Sequence, residues 1–446
     1  MNAPSTRVAI IGGGYAGMAA AVSLAKERIP VTVFEAGPVL GGRARRIEFQ
    51  DQALDNGLHI LIGAYHETLR LIRLVNPLGE KALWRTPLQW HMHEGFQMRA
   101  PNLPAPMHLI AGLCLAQGVS VTERLKMLLM MRKLHQSRYQ CDSALSVTQW
   151  LKIHQQGEQL TRDLWNPLCV AALNTPADKA SAQTFAHVLG ASLGQTASDS
   201  DLLISKTDLS ALFPEPAAQF IQQHSGQVFT HHRIERLECR GQDFFLHFKE
   251  KNDQKDPAPH QFSHVICALA PQQVNRLLPE VPSLQGTRDL IEAFDYQPIT
   301  SVYLQFTAPL PVRLPCPMTG LVQGPAHWLF DRQTLCGQKG LIGAVISAEG
   351  AHDHLAQAAL AQSVHDQIQS HWGPLPPLLW HKVVTEKRAT FSAVPKLQRP
   401  TQKTEWPHLW LAGDYTQSPY PATLESAVQS GIACAQGIRQ SLSRAL

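Results

Sequence analysis

Gly12, Gly14 and Gly17 stand in G-x-G-x-x-G spacing, with Glu35 about 20 residues further on. Gly12 allows a tight turn, Gly14 lets backbone approach a pyrophosphate, and Gly17 lets a helix pack on a strand. Glu35 can accept hydrogen bonds from both ribose hydroxyls and repels a 2′-phosphate. The chemistry is therefore dinucleotide binding, of FAD or NAD rather than NADP. A second group can carry protons: Asp55, His59, Tyr65 and His66 fall within residues 54–75. A blander reading stands beside it, with Asp55 holding a turn at Gly57 and His59 serving as a packing residue.

These side chains need elements to place them. Val8–Ile11 is a short apolar run that predicts a buried strand; a small-residue helix from Met18 to about Arg28 and a second apolar run, Val31–Phe34, complete a βαβ unit. The helix N-terminus offers free N–H groups to an anion. Gly41, Gly42, Arg43 and Arg45 then supply another close backbone approach and two cations for a pyrophosphate. A plain NAD site needs neither, and the pattern resembles the FAD sites of the amine oxidase and phytoene desaturase flavoproteins. The far end agrees: 409–414 reads LWLAGD, and 421–436 reads PATLESAVQSGIACAQ, a helix opening at Pro421. By that resemblance Asp414 binds the ribityl–phosphate part of FAD, beside Gly413. The final helix N-terminus points at the flavin ring, where its dipole favours an anionic reduced flavin. The resemblance also implies a backbone contact to adenine at Val228 and further cofactor contacts at Ala16, Ala36, Gly57, Leu58, Thr423 and Leu424. It runs residues 54–75 beside the isoalloxazine ring, which makes His59, Asp55 and Tyr65 the catalytic candidates.

The cofactor motifs lie at opposite ends of 446 residues, so one domain must be assembled from separated pieces. The fold class expected is α/β: a Rossmann-type FAD-binding domain of the amine oxidase and glutathione reductase kind, with an inserted α+β substrate domain. The boundaries expected are 1–85, 206–270 and 385–446 for the cofactor, and 86–205 and 271–384 for the substrate. Charged residues make up only 17% and hydrophobic residues 44%, which suits a large core, an apolar cavity, or both. A net charge of +4 without a Lys/Arg block gives no sign of nucleic acid. Eight cysteines without C-x-x-C spacing argue against a metal knuckle or a disulfide framework, so no metal is expected. Reduced thiols, no signal-peptide pattern and no long apolar run suggest a cytoplasmic protein with nothing spanning a membrane.

Two further segments stand out. WNPLCVAALNTP (165–176) interrupts a helical apolar region with two prolines and Asn174, either to shape a cavity or as an ordinary helical turn. RLKMLLMMRK (124–133) sets six apolar residues between Arg124, Lys126, Arg132 and Lys133. Such a helix can lie shallowly in a bilayer with its cations snorkelling, or be buried core; both readings are open.

Together with DNGLHILIGAYHE (55–67), SDLLISKTDLSALFPEPAAQFI (200–221) and EKRATF (386–391), the first of these resembles one family, and the similarity spreads over nearly the whole chain. That family is the bacterial hydroxysqualene dehydroxylases, also called squalene-associated FAD-dependent desaturases, of squalene and hopanoid biosynthesis. The resemblance implies FAD as cofactor and an apolar C30 isoprenoid alcohol as substrate. It also implies peripheral contact with the cytoplasmic face of the bacterial inner membrane. In the reaction implied, protonation and loss of an allylic hydroxyl leave a cation that takes hydride from reduced flavin. The runner-up is an FAD-dependent desaturase or oxidase of another apolar polyene, phytoene-like. A flavin-bound escort protein without turnover is the reading from another class.

Overall fold

The computed structural model describes residues 6–193, 195–241, 243–249, 260–310, 314 and 316–444. Five apolar strands form a parallel sheet in the order Gln227–Phe229, Val31–Phe34, Val8–Ile11, His264–Cys267, Leu409–Leu411. Four of them carry no alternation and are buried throughout, as a sheet covered on both faces requires. Helix Tyr15–Lys26 covers one face, and the C-terminal helix Leu424–Arg444 packs on it. Small residues bring these helices together: a Cβ at Gly431 would lie 2.1 Å from the Ala16 carbonyl oxygen. A three-stranded antiparallel sheet, Ile234–Arg240, Asp243–Phe248 and His260–Phe262, covers the other face. Its Phe248 and Phe262 set their edges to Phe34, with ring centroids 5.2 and 5.9 Å away.

A second five-stranded sheet is antiparallel, in the order Met318–Gly320, Trp328–Asp331, Leu341–Ser347, Tyr296–Phe306, Leu378–Phe391. Helix Gln357–Trp372 packs on one face of it through Leu360, Val364 and Ile368. Between residues 107 and 193 the chain is helical, including helices Met107–Leu115, Val121–Gln136, Asn166–Leu173 and Ala182–Leu193. This is the α/β cofactor fold with an added α+β part.

Strand pairing crosses two of the expected divisions. Leu378–Phe391 is one continuous strand, so the 384/385 division falls inside it. Ile60–Ile62 and Leu83–Thr86 pair with Leu202–Ser205 across the 205/206 division. Pairing between distant segments leaves no mark in local composition. The helix expected over 210–223 divides into Leu209–Leu212 and Pro214–Gln223, because Pro214 lacks the N–H that would continue the first helix. No helix among the described residues is long and apolar enough to cross a membrane.

Candidate active site

The tight turn after the first strand puts Gly12 at φ +113°, and Gly41 lies at φ +120° in the second glycine pair. An added Cβ at Gly12 would stand 2.4 Å from the Ala268 carbonyl oxygen, and one at Gly17 would stand 2.1 Å from that of Gly12. Gly14 caps helix Tyr15–Lys26 with no side-chain acceptor, so the first-turn N–H groups remain available to an anion. Gly41 N–H donates to the Gly13 carbonyl at 2.9 Å, which holds the two glycine segments side by side. Glu35 accepts from Gly13 N–H and from Gly37 N–H, each at 2.7 Å. Arg43 donates to Asp414 at 2.6 Å and to the Ala389 carbonyl at 2.5 Å, bringing together residues 371 apart in sequence. Thr423 and Ser426 cap the C-terminal helix reciprocally, each backbone N–H donating to the other's hydroxyl, at 3.0 and 3.1 Å. That helix begins at Leu424 rather than at Pro421.

All of this opens on one cavity of about 1500 Å³. Gly12, Gly14, Ala16, Glu35, Ala36, Gly41, Gly42, Arg43, Gly57, Leu58, Gly413, Asp414, Thr423 and Leu424 line it, as do His59 and Tyr65. Gly17, Asp55 and Val228 do not. Gly17 acts from behind, by letting the helix approach its strand. Val228 pairs with Val33 at the edge of the parallel sheet, where neighbouring Phe229 accepts from Glu35 N–H. A glycine cradle, an uncapped helix N-terminus, an acid on one side and an Arg–Asp pair on the other suit the adenosine, pyrophosphate and ribityl parts of FAD.

The proton-carrying candidates separate. His59 donates from Nδ1 to the Gly57 carbonyl at 2.7 Å, which leaves Nε2 as an acceptor toward the cavity. Burial, helped by the Arg43 charge and opposed by the Gly57 carbonyl, holds His59 below the ordinary imidazole range. Burial and the Glu425 carboxylate raise the Tyr65 phenol, so it keeps its proton. Asp55 lies outside the cavity wall: it accepts from Leu209 N–H at 2.8 Å and faces Arg332 Nη1 at 3.5 Å, with both side chains 4% exposed. Burial pushes its carboxyl up to about 6, against Arg332 and the Leu209 bond. His66 points outward, 63% exposed, toward Asp199.

Beyond the cofactor cradle the same cavity is walled by apolar side chains, among them Trp90, Leu113, Met127, Leu168, Trp328 and Phe330. Trp90 and Trp328 meet edge to face at 4.9 Å. Trp90 comes from a short hairpin and Trp328 and Phe330 from a sheet strand, with no motif around them, so sequence reasoning passed over these three, whereas Leu113, Met127 and Leu168 come from helices. The 165–176 segment does shape the wall. A π-helical turn, Thr161–Trp165, leads into helix Asn166–Leu173, which stops at Asn174 with φ +45°. Asn174 lines the cavity and is fully engaged: it accepts from Ala348 N–H at 2.7 Å and donates to Thr390 and to the Pro298 carbonyl. Glu425, also overlooked, accepts from Glu67 and Thr68 N–H and from the Thr68 hydroxyl, tying helix His66–Val75 to the C-terminal helix.

The 124–133 segment divides between its two readings. In helix Val121–Gln136, Met127 and Met130 are buried, and Met127, Leu128 and Met131 line the cavity. Val121, Leu125 and Leu129 face outward, 78%, 57% and 48% exposed, beside Leu115 at 72% on the preceding helix. Arg124 is not a snorkelling cation; it donates to the Cys114 and Ala116 carbonyls, both at 2.6 Å, and so caps helix Met107–Leu115.

Residues 15–439 match the family described as flavin containing amine oxidoreductase. The chain is 27% identical to the hydroxysqualene dehydroxylase of Zymomonas mobilis, over 95% of this chain and 96% of that one. It is 23% identical to the 15-cis-phytoene desaturase of Synechococcus elongatus, over 97% and 95%. Its fold matches the cyclohexylamine oxidase of Brevibacterium oxydans at a TM-score of 0.70 and 17% identity, covering 99% of this chain and 100% of that one. The chain therefore belongs to the flavin-containing amine oxidoreductases and is an FAD-dependent oxidoreductase.

Proposed function

We propose that the protein reduces hydroxysqualene to squalene, with loss of water. The observation that carries the reading is continuity: the cofactor cradle runs without a partition into an apolar chamber, in a cavity larger than the ~300–1,000 Å³ of ordinary ligand sites. Similarity to a hydroxysqualene dehydroxylase over almost the full length supports it. Reduced FAD, when bound, supplies the hydride. The chain does the rest. Its apolar wall excludes water that would trap an allylic cation, and the aromatic rings of Trp90, Trp165 and Trp328, which line it, favour that cation. His59 is the group in the cavity that brings the proton to the departing hydroxyl, through Nε2. Tyr65 keeps its proton and orients that hydroxyl by hydrogen bonding. Asp55, behind the wall, anchors the segment that carries His59.

His59 must be protonated to act, and its ordinary pKa of 6.5 is lowered. The dehydroxylation rate should therefore climb as pH falls through and below the ordinary histidine range. His59→Gln should remove that acid limb and slow turnover by roughly 10²-fold, with FAD binding unchanged. A variant that keeps the limb would take the proton away from His59. The second reading, desaturation of another polyene, is favoured by the similarity to a phytoene desaturase. Offering hydroxysqualene to reduced enzyme and phytoene to oxidised enzyme separates the two by product.

A C30 alcohol resides in a bilayer, and the exposed Leu115, Val121, Leu125 and Leu129 form the surface we propose meets it. Exposed Arg132 and Lys133 on the same helix add an attraction of about 1 kcal/mol each that salt weakens. Changing Leu115, Leu125 and Leu129 together to Ser should abolish flotation with anionic liposomes while leaving FAD absorbance intact. Continued flotation of that folded variant would move the membrane surface elsewhere.

A further inference from the structure

We propose that His93, Glu94 and His371 form a binding site for a divalent transition-metal ion, Zn²⁺ by its donor set, that clamps the hairpin at the cavity wall to the second sheet's helix. The hairpin Gln89–His91 and Gln97–Arg99 turns through residues 92–96, and His93 N–H donates to the Gly320 carbonyl at 2.8 Å, which fixes the turn against the sheet. His371 stands in the last turn of helix Gln357–Trp372. Its ring centroid lies 4.8 Å from that of His93, at 82°.

One donor atom from each of the three residues falls within a 4.8 Å span. Ligands held at about 2.0–2.2 Å by one Zn²⁺ lie roughly 3.4 Å apart, so closure needs only a small rotation, most readily of exposed Glu94. Two observations point to a missing partner. His93 Nε2 is buried and has no hydrogen-bond partner, which is costly for a polar atom. It also stands 3.9 Å from the Glu94 carboxylate, too far to bond but near enough to share an ion. Two imidazoles and a carboxylate, with water at the fourth position, suit Zn²⁺ over Mg²⁺ or Ca²⁺.

None of the three residues lines the large cavity. The site is therefore structural, and its reach into function runs through Trp90, which the same hairpin carries to the cavity wall beside Trp328. The hairpin and the helix come from opposite ends of the substrate-side sequence, and nothing in their spacing announces a shared ligand set.

The test uses untagged, chelator-treated, FAD-loaded protein titrated with ZnCl₂ by calorimetry, with Co²⁺ absorption as a second readout. The expected result is one tight equivalent, with visible Co²⁺ bands of low coordination number. His371→Gln and Glu94→Gln lie at the surface end of the site and should still fold. His371→Gln should weaken Zn²⁺ at least tenfold, and Glu94→Gln by a smaller factor, with the flavin spectrum unchanged in both. Wild type that binds no better than the double variant His93→Gln/His371→Gln overturns the proposal, as does Mg²⁺ competing with Zn²⁺ at equal concentration.

Discussion

Replacing Glu35 with Arg should yield protein purified without yellow colour. The carboxylate accepts from Gly13 and Gly37 N–H and faces the cavity, where it would also receive the ribose hydroxyls of FAD. Hydrogen bonds to a charged group contribute about 1.5–3 kcal/mol each. Losing two corresponds to about 3–6 kcal/mol, or roughly 10²–10⁴-fold in affinity. Glu35→Gln, which keeps one acceptor, should fall in between. Titration of apoprotein with FAD, followed by quenching of flavin fluorescence, measures both. Wild-type affinity in the Arg variant would mean that the adenosine end binds elsewhere.

Arg332→Met should be strongly destabilising at pH 8 and nearly neutral at pH 5. Removing one partner of a buried pair costs about 3–5 kcal/mol when the other stays charged. Here the other is Asp55, whose carboxyl titrates at about 6 in the fold against 3.8 unfolded. Because the folded value is raised, the stability linked to this group is fully present below about pH 4 and is lost as pH rises through about 6. Arg332 opposes that loss, so its removal extends the loss to higher pH. Below pH 5 the carboxyl is neutral and needs no cation. Thermal unfolding of wild type and variant across pH 4–8 should show two curves that diverge upward in pH. Parallel curves would mean that the pair does not govern the titration.

The cofactor half of the site was legible because its chemistry is local. A glycine turn, a helix N-terminus and an acid within residues 8–35 form one unit, Gly41–Arg43 adds a second close backbone approach, and Gly413–Asp414 was legible only by its resemblance to known flavoproteins. The catalytic half was less legible because it is tertiary. Asp55 and His59 are four residues apart, yet one is walled off beside Arg332 and the other faces the cavity. Strand pairing decides that division, since Asp55 ends strand Gln52–Asp55 and its peptide group exchanges hydrogen bonds with the Tyr303 hydroxyl of the second sheet. Helix 121–136 shows the same limit. Its apolar residues were visible, but which of them face core, cavity or solvent follows from what packs around the helix. Arg124 looked like a membrane cation and instead caps a neighbouring helix.

The central claim is tested most directly by a single anaerobic turnover. Holoenzyme with its flavin photoreduced is mixed with one equivalent of hydroxysqualene, and flavin absorbance and extracted lipid are followed together. The account predicts that oxidised flavin and squalene appear at the same rate and in equal amounts, with no phytoene-type desaturation product. Flavin that stays reduced while hydroxysqualene remains unconsumed would contradict it.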